Sequence, residues 1–395
     1  MAEVLRKQYL EFLEEFKDDT EVIKVICGVR RCGKSTLMLQ YIDLLKSSGV
    51  SEDSIISMNL ESMEFDDIKD AADLKRHLKG RIGPGRTYVL LDEIQRVKGW
   101  ETVVNAITLD FDVDVYITGS NAQLLSTELT TYLTGRYVSI NMLPLSFREY
   151  TELHRDRTED RYKLFEKYLR YGALPGIDPF EPERKIRVRL NDLFSSIVYK
   201  DIMSRGRVRD AAELERVIKF MMFNIGNPMS SNKIANTLGG VHKNTVDRYL
   251  RLLEESRIMY RADRYDIKST ALSPSPKYYS VDTGLRNSPL NYTDEDYGRL
   301  LENLVYLELI RRGNTVYVGR HGDSEVDFAV KTSDGFEYYQ VVYSMKDGRV
   351  KERELRPLTS IRDSYPKTVI STDELKADFA GGIKHVHIID FLTDG

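Results

Sequence analysis

The chain contains 395 residues, of which 41% are hydrophobic and 30% are charged. At a typical ~150 residues per domain, this length predicts two to three packed domains and excludes a single small core and a wholly disordered chain. Lysine and arginine number 58 against 62 aspartates and glutamates, a formal net charge of −4. This balance excludes a globally basic nucleic-acid binder and leaves a local basic surface open.

The cysteines and the N-terminal segment bear on the cellular compartment. The two cysteines, Cys27 and Cys32, lie in one short segment, which excludes a long-range disulfide framework and predicts reduced thiols. The charged N-terminal segment lacks an apolar leader, and no apolar run reaches the ~20 residues of a membrane-spanning helix. We therefore expect a cytoplasmic protein without a membrane partner. Hydrophobic residues at helical spacing over 5–16 predict an amphipathic N-terminal helix.

The first 150 residues alternate short apolar runs with helical patterns. Strands are predicted at 22–27, 55–60, 88–91, 113–118 and 137–140. Helices are predicted at 35–45, 71–78, 100–109 and 122–133. This alternation is typical of a parallel sheet with helices on both faces, so we expect an α/β fold in this region.

Beyond residue 144 the pattern becomes nearly all helical, and a last α/β region begins near residue 294. Helices are predicted at 147–171, 183–204 and 211–224, and the segment TALSPSP at 270–276 is predicted to be a loop because of its prolines. A compact unit of its own is predicted between about 230 and 286. These changes divide the chain into predicted domains at 1–150, 151–226, 227–292 and 293–395.

A glycine-rich motif follows the first predicted strand. Residues 28–35 fit the pattern G-x-x-x-x-G-K-[ST], in which backbone amides surround phosphate oxygens and the lysine reaches the β- and γ-phosphates. A chance match in a turn is the alternative, and the strand before and helix after the motif disfavour it. We expect this segment to bind ATP and Mg²⁺, with the serine hydroxyl on the metal. The nucleotide-binding residues are then Gly28, Val29, Arg30, Arg31, Cys32, Gly33, Lys34, Ser35 and Thr36.

Two carboxylates end the apolar strand at 88–91, where buried charges need partners. Asp92 suits Mg²⁺ coordination, and Glu93 suits the general base that polarises the attacking water. An acidic strand-to-helix turn is the alternative. The next strand leads into Ser120 and Asn121, and either side chain, Asn121 first, is a candidate sensor of the γ-phosphate; ordinary turn chemistry is the competing interpretation.

Arg136 lies between a predicted helix and a predicted strand. A guanidinium exposed on such a loop can stabilise γ-phosphate charge in a neighbouring subunit. A surface arginine or an internal salt bridge explains the same residue equally well, so both interpretations stay open at this point.

The ATP-binding half resembles the archaeal and bacterial AAA+-related P-loop ATPases with a C-terminal domain of unknown function. The strings that carry the resemblance are GVRRCGKSTLM, YVLLDEIQRVKGWE, ITGSNAQLLS, YLTGRYVSINMLPLSFREY and YLRYGALPGI. The resemblance extends over essentially the whole chain. It implies ATP hydrolysis by an AAA+-like P-loop NTPase sheet with a helical lid, and it makes Arg136 an arginine-finger candidate that requires a homo-oligomer.

A helix–turn–helix pattern is predicted in the region 230–253, followed by a wing at 258–279. Between residues 233 and 268, eight lysines and arginines face five acids, a mildly basic balance. A winged-helix-like domain of this kind contacts DNA or serves as a protein-binding module. The candidate DNA contacts are Lys243, Asn244, Thr245 and Arg248.

The C-terminal region resembles the PD-(D/E)XK nuclease core, with an acid on a helix and acids on the following strands. Glu302 is predicted on a helix, and Glu325 and Asp327 on one face of a strand. The pattern departs at Gln340, which stands in place of the second carboxylate, and at Val342, which stands in place of the lysine. We therefore expect a degenerate nuclease-like α/β domain used for binding, although Lys346 could replace the missing lysine in space. A solvated strand edge is the alternative for Glu325 and Asp327.

These features support three hypotheses for function. The first is a Mg²⁺-dependent ATPase whose nucleotide state controls DNA engagement by the C-terminal domains. The second is a nucleotide-dependent switch or scaffold that binds a protein partner. The third is an ATP-powered, metal-dependent nuclease, which the substitutions at positions 340 and 342 disfavour.

Overall fold

A computed structural model describes residues 4–119, 136–206, 208–290, 292–293, 296–374, 379 and 381–394. The chain forms two compact units. The first comprises Met1–Pro144 with Glu255–Arg257, and the second comprises Leu145–Glu254 with Ile258–Gly395. Within these described ranges, no helix is both long enough and apolar enough to cross a bilayer.

The first unit is a five-stranded parallel sheet with helices around it. Its strands are β1 (Ile23–Gly28), β2 (Ile55–Asn59), β3 (Thr87–Asp92), β4 (Val113–Gly119) and β5 (Tyr137–Met142). Its helices are α1 (Lys7–Glu15), α2 (Lys34–Ser47), α3 (Ala71–Lys79) and α4 (Trp100–Asp110), with single 3₁₀ turns at Glu52–Ser54, Met63–Phe65 and Ile94–Arg96. The strand order is β2-β3-β4-β1-β5.

Continuous apolar runs explain why this sheet is buried on both faces. Every residue of β1, β3 and β4 is buried, as expected for parallel strands covered by helices. One hydrophobic core joins the sheet to α3 and α4 through side chains such as Leu74, Val104 and Ile107. The predicted α/β alternation is therefore confirmed for this unit; the helix predicted at 122–133 lies outside the described residues.

The second unit begins with a run of helices, and further helices lie between and after its strands. They are α5 (Phe147–His154), α6 (Arg161–Tyr171), α7 (Glu183–Ser196), α8 (Ala211–Phe223), α9 (Ser231–Leu238), α10 (Lys243–Glu255), α11 (Thr283–Asn287), α12 (Tyr297–Arg311), α13 (Gly348–Ser360) and α14 (Ile388–Thr393). The helix predicted at 147–171 is divided into α5 and α6. The helix predicted at 183–204 continues beyond α7 as a π-helical segment, Ile197–Met203, and a short turn, Ser204–Gly206.

Seven strands form one sheet in the second unit. They are β6 (Met259–Asp266), β7 (Ala271–Ser280), β8 (Thr315–His321), β9 (Ser324–Thr332), β10 (Gly335–Val342), β11 (Lys367–Ser371) and β12 (Ile383–His387). Their order is β12-β11-β10-β9-β8-β6-β7. The hairpin expected as a wing, β6 and β7, is thus continuous with the C-terminal sheet through a parallel pairing of β6 with β8.

The prediction of a loop at 270–276 is wrong, because most of that segment belongs to β7. Pro274 and Pro276 cannot donate ladder hydrogen bonds, yet β7 is the edge strand of the sheet, where proline is tolerated. The pairing of β6 with β7 also shifts register between Ala262 and Arg264. A local sequence pattern does not show which strand will lie at the edge of a sheet, so the prolines indicate a loop when the sequence alone is considered.

Buried polar side chains join α11 to α6 in the second unit. Asp282, at the start of α11, accepts hydrogen bonds from the amides of Ala173 (2.7 Å) and Leu285 (2.9 Å). A side chain at Gly172, whose φ is +76°, would collide with that carboxylate. The glycine of the YGALPG string therefore allows the close approach that places Asp282 against the backbone.

Candidate functional site

The phosphate loop, residues 28–35, connects β1 to α2 as the sequence predicts. Gly28 lies at the end of β1, where a Cβ atom would collide with the carbonyl of Met142. Gly33 precedes α2 with a φ of 106°, a conformation that favours glycine. Both motif glycines are therefore required by the backbone path, and the loop ends at a helix N-terminus suited to an anion.

Lys34 is buried, and its ammonium lies against the loop itself. Its Nζ donates hydrogen bonds to the carbonyls of Gly28 (3.1 Å) and Val29 (3.3 Å). It also lies 3.9 Å from a carboxylate oxygen of Glu93. The loop lysine and the proposed general base are thus brought together, although they are far apart in sequence.

Asp92 ends β3 and Glu93 follows it, and β3 is separated from β1 by β4. Asp92 is buried, and Glu93 adopts a left-handed φ of 55°, a backbone conformation that costs free energy for a non-glycine residue and often occurs at functional sites. Gln95 donates a hydrogen bond to the Glu93 carboxylate. The two adjacent acids therefore have different surroundings.

Thr118 is a site residue that the sequence reasoning missed. It lies near the end of β4, and its hydroxyl donates to Asp92 while accepting the amide of Glu93 at 3.1 Å. The hydroxyl of Thr118 thus adjoins Asp92 at this end of β4, a role for which the sequence suggests Asn121 or Ser120. Asn121 and Ser120 lie outside the described residues. The signal for Thr118 was a hydroxyl near the end of a mostly apolar strand.

The donor atoms at this edge fit a magnesium ion. Ser35 offers an exposed hydroxyl at the start of α2, and Asp92 offers a carboxylate. Mg²⁺ prefers oxygen ligands and needs only one or two from the protein when substrate phosphates supply others. Among the described residues, no group of three or more acidic, histidine or cysteine side chains is placed to hold a metal by itself.

Burial disfavours the thiolate form of Cys27. Both cysteines are buried, and no disulfide joins them. Burial raises the pKa of the Cys27 thiol to about 11, although the positive charges of Arg257 and Lys34 act in the opposite direction. Arg257 belongs to the three-residue segment, Glu255–Arg257, that is part of the first unit, and no local sequence pattern predicts its proximity to Cys27 of β1.

Arg136 lies at the amino ends of the parallel strands, whereas the phosphate loop lies at their carboxyl ends. β5 runs parallel to β1, with Tyr137 beside Ile23 and Met142 beside Gly28. Arg136 is exposed immediately before β5, so the full length of a strand, roughly 17 Å at ~3.3 Å per residue, separates it from the loop. Its guanidinium therefore cannot reach a phosphate bound in the same chain.

The candidate DNA contacts lie at the start of α10. Lys243 and Asn244 are exposed and Thr245 is half-buried. Arg248 is also exposed, but its guanidinium donates to the carbonyl of Gly206. Acidic and basic side chains share the groove beside α10, which is lined by Ser231, Lys243, Asp247, Arg251, Glu254 and Arg261.

The acid cluster, defined as Glu302, Glu325 and Asp327, comes together around a lysine. Lys277 of β7 places its Nζ 2.9 Å from Glu302, 2.8 Å from Glu325 and 3.9 Å from Asp327. Its side chain is only 4% exposed. The sequence reasoning missed this residue, because Lys277 directly follows the segment predicted as a loop and lies well before the acids in sequence.

Surrounding groups complete the acid cluster. Burial and the neighbouring charge of Glu302 raise the pKa of Asp327 well above its usual range. Burial alone would lower the pKa of Lys277, but the three carboxylates raise it above its ordinary value. Asp327 accepts the amide of Val341 at 2.8 Å. Lys277 is therefore charged and held by the acids.

Gln340 and Lys346 differ in their relation to the acid cluster. Gln340 is buried, accepts the amide of Asp327 at 3.3 Å and donates to Glu354 at 3.1 Å. Lys346 is exposed. Gln340 therefore contacts Asp327 of the acid cluster. The buried lysine that contacts the acids is Lys277.

Comparisons with known proteins identify relatives of the whole chain. An uncharacterized protein of Haemophilus influenzae is 38% identical over 400 residues, covering 99% of each chain. An uncharacterized protein of Methanocaldococcus jannaschii is 31% identical over 354 residues, covering 85% of this chain and 77% of the relative. The similarity thus includes both compact units.

Two family models match separate parts of the chain. The model described as an AAA domain matches residues 20–151. A model described as a domain of unknown function matches residues 162–296. The first match contains the phosphate loop, Asp92, Glu93 and Arg136, whereas Glu302, Glu325 and Asp327 lie beyond the second.

In two of the similar solved structures, the match with this chain covers most of the solved chain. AMPPCP-bound DnaA from Aquifex aeolicus is 16% identical, with 64% of this chain and 89% of that chain covered and a TM-score of 0.34. The Aeropyrum pernix ORC1 protein in complex with DNA is 13% identical, with 73% and 92% covered and a TM-score of 0.31.

Proposed function

Because the chain belongs to the same family as its Haemophilus influenzae and Methanocaldococcus jannaschii relatives and carries an AAA domain, we propose that it is a Mg²⁺-dependent ATPase. One observation carries the proposal. The loop lysine, Lys34, lies 3.9 Å from Glu93, beside Asp92 at the same edge of the sheet. This is the combination of cation, metal ligand and base that phosphoryl transfer to water requires.

Each residue has a separate role in this proposal. The amides of the phosphate loop bind the phosphate chain, and Lys34 exchanges its carbonyl partners for phosphate oxygens. Ser35 and Asp92 would hold Mg²⁺, which supplies charge neutralisation at the phosphates. Glu93 accepts a proton from the attacking water, and Thr118 fixes both Asp92 and the backbone of Glu93 through its hydroxyl.

ATP binding and turnover in two variants test this assignment. Lys34→Ala is expected to lose binding and turnover, whereas Glu93→Gln keeps binding and loses at least about a hundredfold in turnover, because a general base contributes 10²–10⁴-fold. Lys46→Ala is the matched control, since Lys46 lies on the same helix and pairs at the surface with Glu52. Full turnover in Glu93→Gln would overturn the role of Glu93, and undiminished binding in Lys34→Ala would overturn the site.

Arg136 supports the proposal that ATP is hydrolysed between subunits of a homo-oligomer. Its exposed position at the end of the sheet away from the phosphate loop supports contact with a phosphate bound in a neighbouring subunit rather than in its own chain. Arg136→Ala should retain ATP binding and lose turnover. Mixing it with Lys34→Ala should restore part of the turnover, because each variant supplies what the other lacks. If the mixture stays inactive although the variants co-assemble, action in trans is wrong.

We further propose that nucleotide state controls DNA engagement through α10. The exposed residues Lys243 and Asn244 support this role with phosphate-binding and base-reading chemistry. The mixed charges of the adjacent groove favour the alternative, a protein partner. Duplex DNA should raise ATP turnover in the wild type, and Lys243→Ala should weaken this response. Two results together would favour a protein partner instead: ATP turnover that DNA does not change, and a pull-down with Glu93→Gln that captures a protein but no nucleic acid.

For the acid cluster we propose a binding or structural role without nuclease activity. The ion pairs of Lys277 with the acids support it, because a resident cation lies where a metal would be needed. Plasmid DNA incubated with the protein and Mg²⁺ or Mn²⁺ should stay intact. Cleavage that disappears in Asp327→Asn would show that the cluster is catalytic.

A further inference from the structure

Arg6 lies behind the phosphate loop, although it is remote from the loop motif in sequence. It immediately precedes α1 and is only 2% exposed. Its Nη1 donates to the carbonyl of Cys32 at 3.1 Å, and its Nη2 donates to the carbonyl of Leu143 at 2.8 Å. One buried guanidinium thus joins the phosphate loop to the segment that ends the first unit at Pro144.

Further hydrogen bonds hold the segment around Arg6 in place. The amide of Arg6 donates to Gln40 of α2 at 3.2 Å, and the Gln40 side chain donates to the carbonyl of Val4 at 2.9 Å. The hydroxyl of Tyr9 accepts the amide of Leu143 at 3.0 Å. The N-terminal segment is therefore fixed to the loop, to the helix after the loop and to Leu143.

The contact with Cys32 determines the direction of an amide. In a planar trans peptide the carbonyl and the following N–H point in opposite directions. A hydrogen bond that holds the Cys32 carbonyl toward Arg6 therefore turns the Gly33 amide away from Arg6. Gly33 precedes Lys34 in the loop, and its amide is one of those expected to face phosphate oxygens. The buried positive charge behind the loop also favours an anion in front of it.

We propose that Arg6 is a positioning residue of the nucleotide site, which orients the Cys32–Gly33 peptide toward the phosphates and links the loop to Leu143. The inference rests on the proposed ATP site and deepens it. Its ligand is the polyphosphate of a nucleotide, since the contact acts on the part of the loop that binds phosphate. The N-terminal segment, which lies outside the motif, thereby becomes part of the site.

Nucleotide affinity in Arg6→Gln and Tyr9→Phe distinguishes this role from simple stabilisation. Both changes remove one anchor of the same segment, but Tyr9→Phe leaves the Cys32 carbonyl bonded to Arg6. Arg6→Gln should weaken binding of ATP and of inorganic pyrophosphate about tenfold, the usual scale for one hydrogen bond from a charged group. Tyr9→Phe should change it less than about twofold, at a temperature where both are folded.

Further measurements keep the proposal falsifiable if Arg6→Gln does not fold. Arg6→Lys keeps the charge but cannot bridge two carbonyls, so it should bind ATP with intermediate affinity and an unchanged kcat at saturation. In the wild type, ATP should slow hydrogen exchange in residues 4–16. Equal affinity of the folded Arg6 variants and wild type, or unchanged exchange, would overturn the role of Arg6. A wild type that binds no ATP would overturn the proposed function itself.

Discussion

The phosphate loop and the acid cluster both bring a buried lysine close to carboxylates, but they hold it differently. Lys34 is bonded to two backbone carbonyls, and its nearest carboxylate oxygen lies 3.9 Å away. Lys277 has two carboxylates within 2.9 Å and a third at 3.9 Å. Neutral carbonyls are weaker partners for an ammonium than ionised acids are. An incoming phosphate can therefore replace the partners of Lys34, whereas Lys277 is retained by charge.

This difference separates a lysine available for ligand binding from a lysine that neutralises a core. The partners of Lys34 come from its own loop, so a ligand can displace them without disturbing the fold. The partners of Lys277 come from α12 and β9, so removing the lysine leaves partly buried acids without their cation in two elements. The same residue type should therefore affect activity in one unit and folding stability in the other.

Lys277→Met is the largest expected effect. Its removal leaves the acid cluster without its central cation, and breaking a buried ion pair costs about 3–5 kcal/mol in free energy of unfolding. Chemical denaturation that reports on the second unit measures the loss. Burial and the charge of Glu302 already raise the pKa of Asp327, and Lys277 acts in the opposite direction. Removing the lysine should therefore raise the pKa of Asp327 further, so the loss of stability should grow as pH rises and shrink as acid protonates Asp327.

The matched control is Lys346→Met, which removes a lysine that is exposed in the same unit. A surface change of this kind should stay within about 0.5 kcal/mol of wild type. Should the two methionine variants prove equally stable, Lys277 would not be what holds the acid cluster, and the contrast with Lys34 would lose its basis.

Asp282 gives a second, smaller test of the buried polar core in the second unit. Burial raises its pKa to about 6 from 3.8, despite hydrogen bonds from the amides of Ala173 and Leu285 that act in the opposite direction. Between these values the folded chain binds more protons than the unfolded chain, so this group makes stability fall as pH rises from about 4 to about 6. At about 1.4 kcal/mol per pKa unit, the change is about 2–3 kcal/mol.

Asp282→Asn removes this titration and tests it by difference. The stability advantage of the wild type over the variant should narrow between pH 4 and pH 7, measured by denaturation at each pH. Asp178→Asn, which removes a half-buried acid from the same unit, controls for the general effect of losing a carboxylate. A constant gap between wild type and Asp282→Asn would show that Asp282 titrates normally.

Local patterns predicted most of the first unit because its signals are contiguous. Apolar runs located the five strands of the sheet, and one uninterrupted motif located the loop lysine. The acid cluster needed a lysine from β7, whose prolines suggest a loop unless its edge position is known. Thr118 and Arg6 also required the folded chain, because each acts on a residue distant in sequence. A sequence motif therefore predicts site residues that lie in one continuous segment. It misses residues that only the folded chain brings to the site.

Thr118→Val tests one of those added residues at the smallest expected scale. Valine keeps the β-branched shape but removes the hydroxyl that donates to Asp92 and accepts the amide of Glu93. We expect kcat for ATP to fall about tenfold, or ~1.4 kcal/mol, because both acids lose orientation. The dissociation constant for ATP should stay nearly constant, since the phosphate loop is unchanged. Thr102→Val removes a hydroxyl that bonds only locally, to the carbonyl of Gly99, and should leave both quantities unaltered. A loss of ATP affinity in Thr118→Val with normal kcat would instead assign Thr118 to nucleotide binding, and the two acids would then be oriented without it.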